Sequence, residues 1–159
     1  LPDELIRDSN LLRQLIDVCA TTGGSVVGLM QVPPADVAAY GVVQPAGQVD
    51  EHGVVRIHTM VEKPAVEDAP SDLIIVGRYV LTPDVFDRLD QVRPGAGGEI
   101  QLTDALRAQA ADGPFHGVLR DIHRYDTGNP LGWLTAVVDL ALDDPAIGDA
   151  FRDWLHGRL

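Results

Sequence analysis

Lys63 is the only lysine in the chain, and the remaining basic residues are all arginine. It stands in Val61-Glu62-Lys63-Pro64, between a carboxylate and a proline. A lysine ammonium is a compact point charge on a flexible stem, which suits a phosphate oxygen, whereas arginine presents a planar fork. A glutamate beside it can accept hydrogen bonds from two hydroxyls, so the pair has the chemistry to hold both parts of a sugar phosphate. Neighbours on an extended strand point to opposite faces, so both reach one ligand only where the strand ends or bends. Pro64 supplies an ending, because it lacks an N–H for a sheet ladder and is expected to hold Lys63 extended. The plainer reading is a solvated Glu-Lys pair at a strand end.

A second pair of candidates is Asp3 and Asp126. Asp126 follows a short apolar run ending at Tyr125, and Asp3 follows Leu1-Pro2, which reads as the tail of a strand whose body lies before the chain begins. Ligands of open α/β sheets bind beyond the carboxyl ends of strands, so carboxylates there are well placed. Two carboxylates without His or Cys suit a hard cation, above all magnesium carrying substrate phosphates. Asp126 also reads as turn chemistry in Asp-Thr-Gly-Asn, and Asp3 as a helix-entry residue. The five histidines, at positions 52, 58, 116, 123 and 156, lack metal-ligand spacing.

The elements that position these residues follow from periodicity. Leu11, Leu12, Leu15, Ile16 and Cys19 recur at helical spacing within a helix expected over 5–20, closed by Gly23-Gly24. Residues 25–32 read as a strand buried on both faces, residues 54–61 as the second arm of a hairpin begun at Val42-Val43, and residues 73–81 as a strand with Gly77 mid-run. That glycine marks either a bulge or the close approach of a ligand. Thr82-Pro83 and Asn129-Pro130 are helix starts. Residues 99–111 read as a helix packing through Ile100, Leu102, Leu106 and Ala110. Residues 93–98 form a glycine-rich flexible loop without the lysine of a P-loop. Short strands at 115–119 and 122–125 and a last helix around Ile147, Phe151, Trp154 and Leu155 complete one α/β domain over 1–159.

With 159 residues and 45% hydrophobic residues, the chain can bury a real core. A net charge of −12 and the lack of a basic, aromatic-interleaved patch argue against nucleic acid, and no apolar run approaches membrane-spanning length. No signal segment opens the chain, and the lone Cys19 reads as a buried reduced thiol, both consistent with a cytoplasmic protein.

Six stretches in order, Leu1-Pro2-Asp3, Ala39–Val43, Val61–Pro64, Ile75–Leu81, Gly95–Ala105 and Tyr125–Asn129, resemble the bacterial UTP–glucose-1-phosphate uridylyltransferases. The particular run Gly98-Glu99-Ile100-Gln101-Leu102-Thr103-Asp104 gives the resemblance its specificity, and it extends over essentially the whole chain. It implies a Rossmann-like nucleotidyltransferase mixed sheet flanked by helices. It further implies that glucose 1-phosphate attacks the α-phosphorus of UTP to give UDP-glucose and pyrophosphate, with Mg2+ as cofactor. By the same resemblance Asp3 and Asp126 match the magnesium-binding aspartates, Gly41 the glycine whose backbone contacts the sugar, Glu62 the glutamate on the sugar hydroxyls, and Lys63 the lysine on the phosphates. The family's nucleotide-binding glycine-rich loop has no counterpart here. The expectation is therefore a C-terminal portion that is inactive without its N-terminal half and forms homo-oligomers. Its rival is a non-catalytic module that binds a sugar phosphate or docks onto a homologue.

Overall fold

The computed structural model describes residues 3–7, 10–94 and 98–158. Leu1-Pro2 and the Gly95-Ala96-Gly97 part of the glycine-rich loop lie outside the described residues. Contacts divide the chain into two compact units, residues 1–7 with 122–159, and residues 8–121.

The larger unit is built on five strands that close on themselves in the order β2-β5-β3-β4-β6. These are β2 (Ser25–Gln31), β3 (Gly41–Pro45), β4 (Val54–Glu62), β5 (Leu73–Val80) and β6 (Phe115–Leu119). The β2–β6 pair is parallel and the others antiparallel, which gives the mixed sheet. Three helices accompany them: α1 (Leu11–Thr22), α2 (Val85–Leu89) and α3 (Leu102–Asp112). The core holds Val27, Leu29, Ile57, Met60, Leu106 and Phe115, all at most 1% exposed. The run expected to be buried over 25–32 is buried over Ser25–Leu29, where the closed sheet covers one face and helix α1 packs on β2, and opens to solvent at Met30 and Gln31.

The expected hairpin is present, with β3 against β4. Gly77 answers to the bulge. It adopts φ 61°, and the β2–β5 register slips there from Val27 opposite Tyr79 to Leu29 opposite Ile75. The helix expected over 5–20 begins at Leu11 instead, and Glu4–Ile6 forms strand β1. Leu5 and Ile6 are apolar residues that pair across a ribbon, an interaction helical periodicity cannot register. Within α1 only Leu11 and Leu15 are buried, Leu12 and Ile16 are half exposed, and Cys19 is half-buried rather than buried.

Helix α3 is shorter than expected, because Ile100 falls outside it and is 56% exposed. Its inner stripe is Thr103, Ala105, Leu106, Gln109 and Ala110. The far end of α3 is held by a polar cluster. Ser25 Oγ donates to Gln109 Oε1 at 3.1 Å, Gln109 Nε2 donates to Thr82 Oγ1 at 3.1 Å, and the Thr82 hydroxyl donates to Asp84 at 2.6 Å. The Thr82 hydroxyl, followed by Gln109, holds the Asp84 carboxyl below its ordinary range.

In the smaller unit β1 (Glu4–Ile6) pairs antiparallel with β7 (Arg124–Asp126), and α4 (Pro130–Asp143) and α5 (Gly148–His156) follow. Asn129 caps α4 as expected, its Oδ1 accepting from Gly132 N at 2.8 Å with Pro130 next. Arg124 pairs with Glu4, and Arg7 with Asp143 at 2.7 Å. No described helix is long and apolar enough to cross a membrane.

Candidate functional site

Each unit presents one group of the expected residues. In the larger unit the hairpin register sets Gly41 directly opposite Glu62, so two residues that are 21 apart in sequence become cross-strand neighbours. Strand β4 ends there. Lys63 takes φ 44°, and it is the only non-glycine residue with positive φ among those described. A left-handed conformation costs an L-residue about 1 kcal/mol. It is held by a hydrogen bond from Lys63 N to the carbonyl of Tyr40 at 2.9 Å, with buried Pro64 immediately behind. The left-handed residue breaks the alternation that would otherwise send Glu62 and Lys63 to opposite faces of a regular strand. The bend is thus present, but the expectation that Pro64 holds Lys63 extended is not met: Lys63 itself turns left-handed, against the extended bias that a following proline imposes. The Lys63 side chain is exposed and forms no ion pair with another described residue.

Glu62 is half-buried, and its Oε2 accepts a hydrogen bond from Thr103 Oγ1 at 2.6 Å. Gly41 leaves room for this contact. A Cβ at position 41 would lie 3.2 Å from Glu62 Oε2, 3.5 Å from Ile75 Cδ1 and 3.6 Å from Thr103 Oγ1. Thr103 was not singled out among the candidates from the sequence. The signal available was a polar residue on the same stripe of α3 as Leu106 and Ala110, which implies a buried partner.

In the smaller unit Asp126 is the last residue of β7, as expected for a carboxylate at a strand's carboxyl end. Asp3 immediately precedes strand β1, and the strand expected before it falls on Leu1-Pro2, outside the described residues. The chain brings the two together, with Thr127 N donating to the Asp3 carbonyl at 2.8 Å. Gly128 lies between their carboxylates. A Cβ there would stand 3.2 Å from Asp126 Oδ1 and 3.4 Å from Asp3 Oδ2, so both oxygens border one small space that only glycine leaves open. The turn chemistry anticipated for Asp126 is also real: Oδ1 accepts from Gly128 N and Oδ2 from Asn129 Nδ2, each at 3.0 Å. Among the described residues no group of three or more His, Cys, Asp or Glu could hold a metal. Two exposed carboxylates around a cradle do fit magnesium, which commonly takes one or two protein carboxylates and completes its shell with water and phosphate.

The chain matches the family Nucleotidyl transferase over residues 1–141, and it belongs to that family. It is 43% identical to a UTP–glucose-1-phosphate uridylyltransferase of Streptococcus pneumoniae, over 91% of this chain and 48% of that protein. A solved UDP-glucose pyrophosphorylase complexed with UDP-glucose superposes with a TM-score of 0.77 at 39% identity, covering 86% of this chain and 52% of its own. The UDP-glucose pyrophosphorylase of Acinetobacter baumannii gives a TM-score of 0.84 at 30% identity, covering 100% and 55%. The chain therefore spans about half the length of the relatives it matches.

Proposed function

We propose that this chain is the sugar-phosphate and metal-binding portion of a UTP–glucose-1-phosphate uridylyltransferase. In this reading glucose 1-phosphate and UTP give UDP-glucose and pyrophosphate. The observation that carries the reading is the break at Lys63, where a left-handed lysine follows a glutamate that faces glycine across a hairpin. Backbone strain at an exposed cation is retained where ligand binding uses it.

The roles follow from the chemistry of each group. The Glu62 carboxylate accepts from sugar hydroxyls, and Gly41 keeps side-chain bulk away from that contact. Lys63 offsets phosphate charge. Asp3 and Asp126 hold a magnesium ion, which supplies further neutralisation of phosphate charge when bound. In the transfer an oxygen of the sugar phosphate forms a bond to the α-phosphorus of UTP while the bond to the pyrophosphate leaving group breaks. Such transfer needs positioning and charge neutralisation rather than a protein nucleophile, and these residues provide both.

The remaining half of the relatives' length would contribute the nucleotide side, and the active protein would be a cytoplasmic homo-oligomer. The test is release of pyrophosphate from UTP and glucose 1-phosphate by a polypeptide carrying both halves, with and without Lys63→Ala. Turnover that depends on Lys63 supports the reading. A folded, complete polypeptide that turns over equally well with alanine at this position refutes it.

A further inference from the structure

Thr103 stands in the first turn of α3, is 9% exposed, and spends its hydroxyl on a side chain from a different element. At the second position of α3, Thr103 has no preceding helical turn whose carbonyl it could use, unlike Thr21 and Thr22, which bond back to Asp17 and Val18 at 2.8 Å. Thr103 instead donates to Glu62 Oε2 at 2.6 Å, the short range of a bond to an ionised acceptor. The bond joins residues 41 apart in sequence, so α3 must be held firmly for it to persist. It is held at its other end, where Gln109 is locked to Ser25 and Thr82.

We propose that Thr103 is a positioning residue for sugar recognition: its hydroxyl fixes the Glu62 carboxylate through Oε2 and leaves Oε1 to accept from the hydroxyls of the bound sugar. This rests on the role of Glu62 proposed above and extends it. A carboxylate with both oxygens free can rotate about its last side-chain bond, a broad and weakly restrained torsion. One with a buried donor on a single oxygen presents the other in one direction. Gly41 closes the arrangement from the opposite strand, since a Cβ there would crowd Glu62 Oε2 at 3.2 Å. Thr103 thereby links α3, and with it the Gly98–Asp104 stretch, to the sugar without touching the reacting atoms.

The test is calorimetric titration of a polypeptide carrying both halves with UDP-glucose and with UDP, in magnesium, for the parent protein, Thr103→Val, Thr103→Ser and Glu62→Gln. Valine keeps the shape and removes the donor, so UDP-glucose affinity should fall about tenfold, the scale for losing a hydrogen bond to a charged group. UDP affinity and the unfolding temperature should not move, and serine should restore UDP-glucose binding. Loss of UDP and UDP-glucose binding together in Thr103→Val would show a structural role and overturn the proposal. A Thr103→Val protein that binds UDP-glucose normally while Glu62→Gln does not would also overturn it, leaving the role of Glu62 intact. If the parent protein and Glu62→Gln bind UDP-glucose equally, the reading of Glu62 itself fails, and Thr103 has no sugar contact to position.

Discussion

Asp3 and Asp126 border the same space around Gly128, yet they are held there in different ways. Asp126 spends both carboxylate oxygens on its own turn, whereas Asp3 is tied through its backbone carbonyl. Substituting the two should therefore separate metal binding from folding. Asp3→Asn removes a charge without removing a turn contact and should abolish magnesium-dependent binding while leaving the unfolding temperature unchanged. Asp126→Ala should lose the same binding and also about 1 kcal/mol of stability, the scale of losing such local hydrogen bonds. Equal destabilisation by both would contradict the division.

Gly128 gives a second test of the pair. Alanine would place a methyl 3.2 Å from Asp126 Oδ1 and 3.3 Å from Asp3 Cβ, inside the cradle. The carboxylates must then spread, and magnesium affinity should fall by about tenfold, as when groups that orient metal ligands are altered. Titration of Gly128→Ala with magnesium and a sugar nucleotide checks this, and undiminished affinity would place the metal elsewhere.

Lys63 should show a trade between stability and binding. Glycine adopts φ 44° without the strain that lysine bears, so Lys63→Gly should unfold at a temperature no lower than the parent while losing phosphate affinity. Lys63→Ala keeps the strain and loses the same affinity. A Lys63→Gly protein that is clearly destabilised would show that the lysine stem packs against something the backbone geometry does not reveal.

Much of this was legible in the sequence, and the exceptions have physical causes. The strand at 25–31, buried over its first five residues, the hairpin and the Asn129-Pro130 helix start were readable because burial, alternation and capping are local signals. The ribbon of β1 with β7 was not, since it pairs residues more than a hundred positions apart and its three-residue strands carry no periodicity. Glu62 and Lys63 stood out by composition, one lysine against many arginines. The left-handed lysine did not, because nothing in Glu-Lys-Pro demands positive φ. Thr103 was hidden for another reason: its partner lies across the fold, and a threonine in a helical stripe reads as packing until the facing strand is known.

The fold should also weaken in acid through His116. This histidine is held below its ordinary pKa of 6.5, first by burial and then by the nearby charge of Arg56. The unfolded chain takes up the proton more readily than the folded one. The associated stability is therefore complete above about pH 6.5, the ordinary histidine value, and is lost as the pH falls toward the lower folded value. Urea unfolding at pH 7.5 and 5.5 should show this loss, reduced in His116→Asn, whose side chain does not titrate. An identical loss in the variant would assign the acid sensitivity to other groups.

The central claim, that this chain carries the sugar-phosphate and magnesium side of a uridylyltransferase, is tested most directly by calorimetric titration with UDP-glucose. The titration is run with magnesium, without magnesium, and with Asp3→Asn in its presence. The expected result is saturable binding by the parent chain that requires the ion and is lost in the variant. A folded chain that binds no UDP-glucose, or binds it equally well without magnesium and with Asp3→Asn, would contradict the claim.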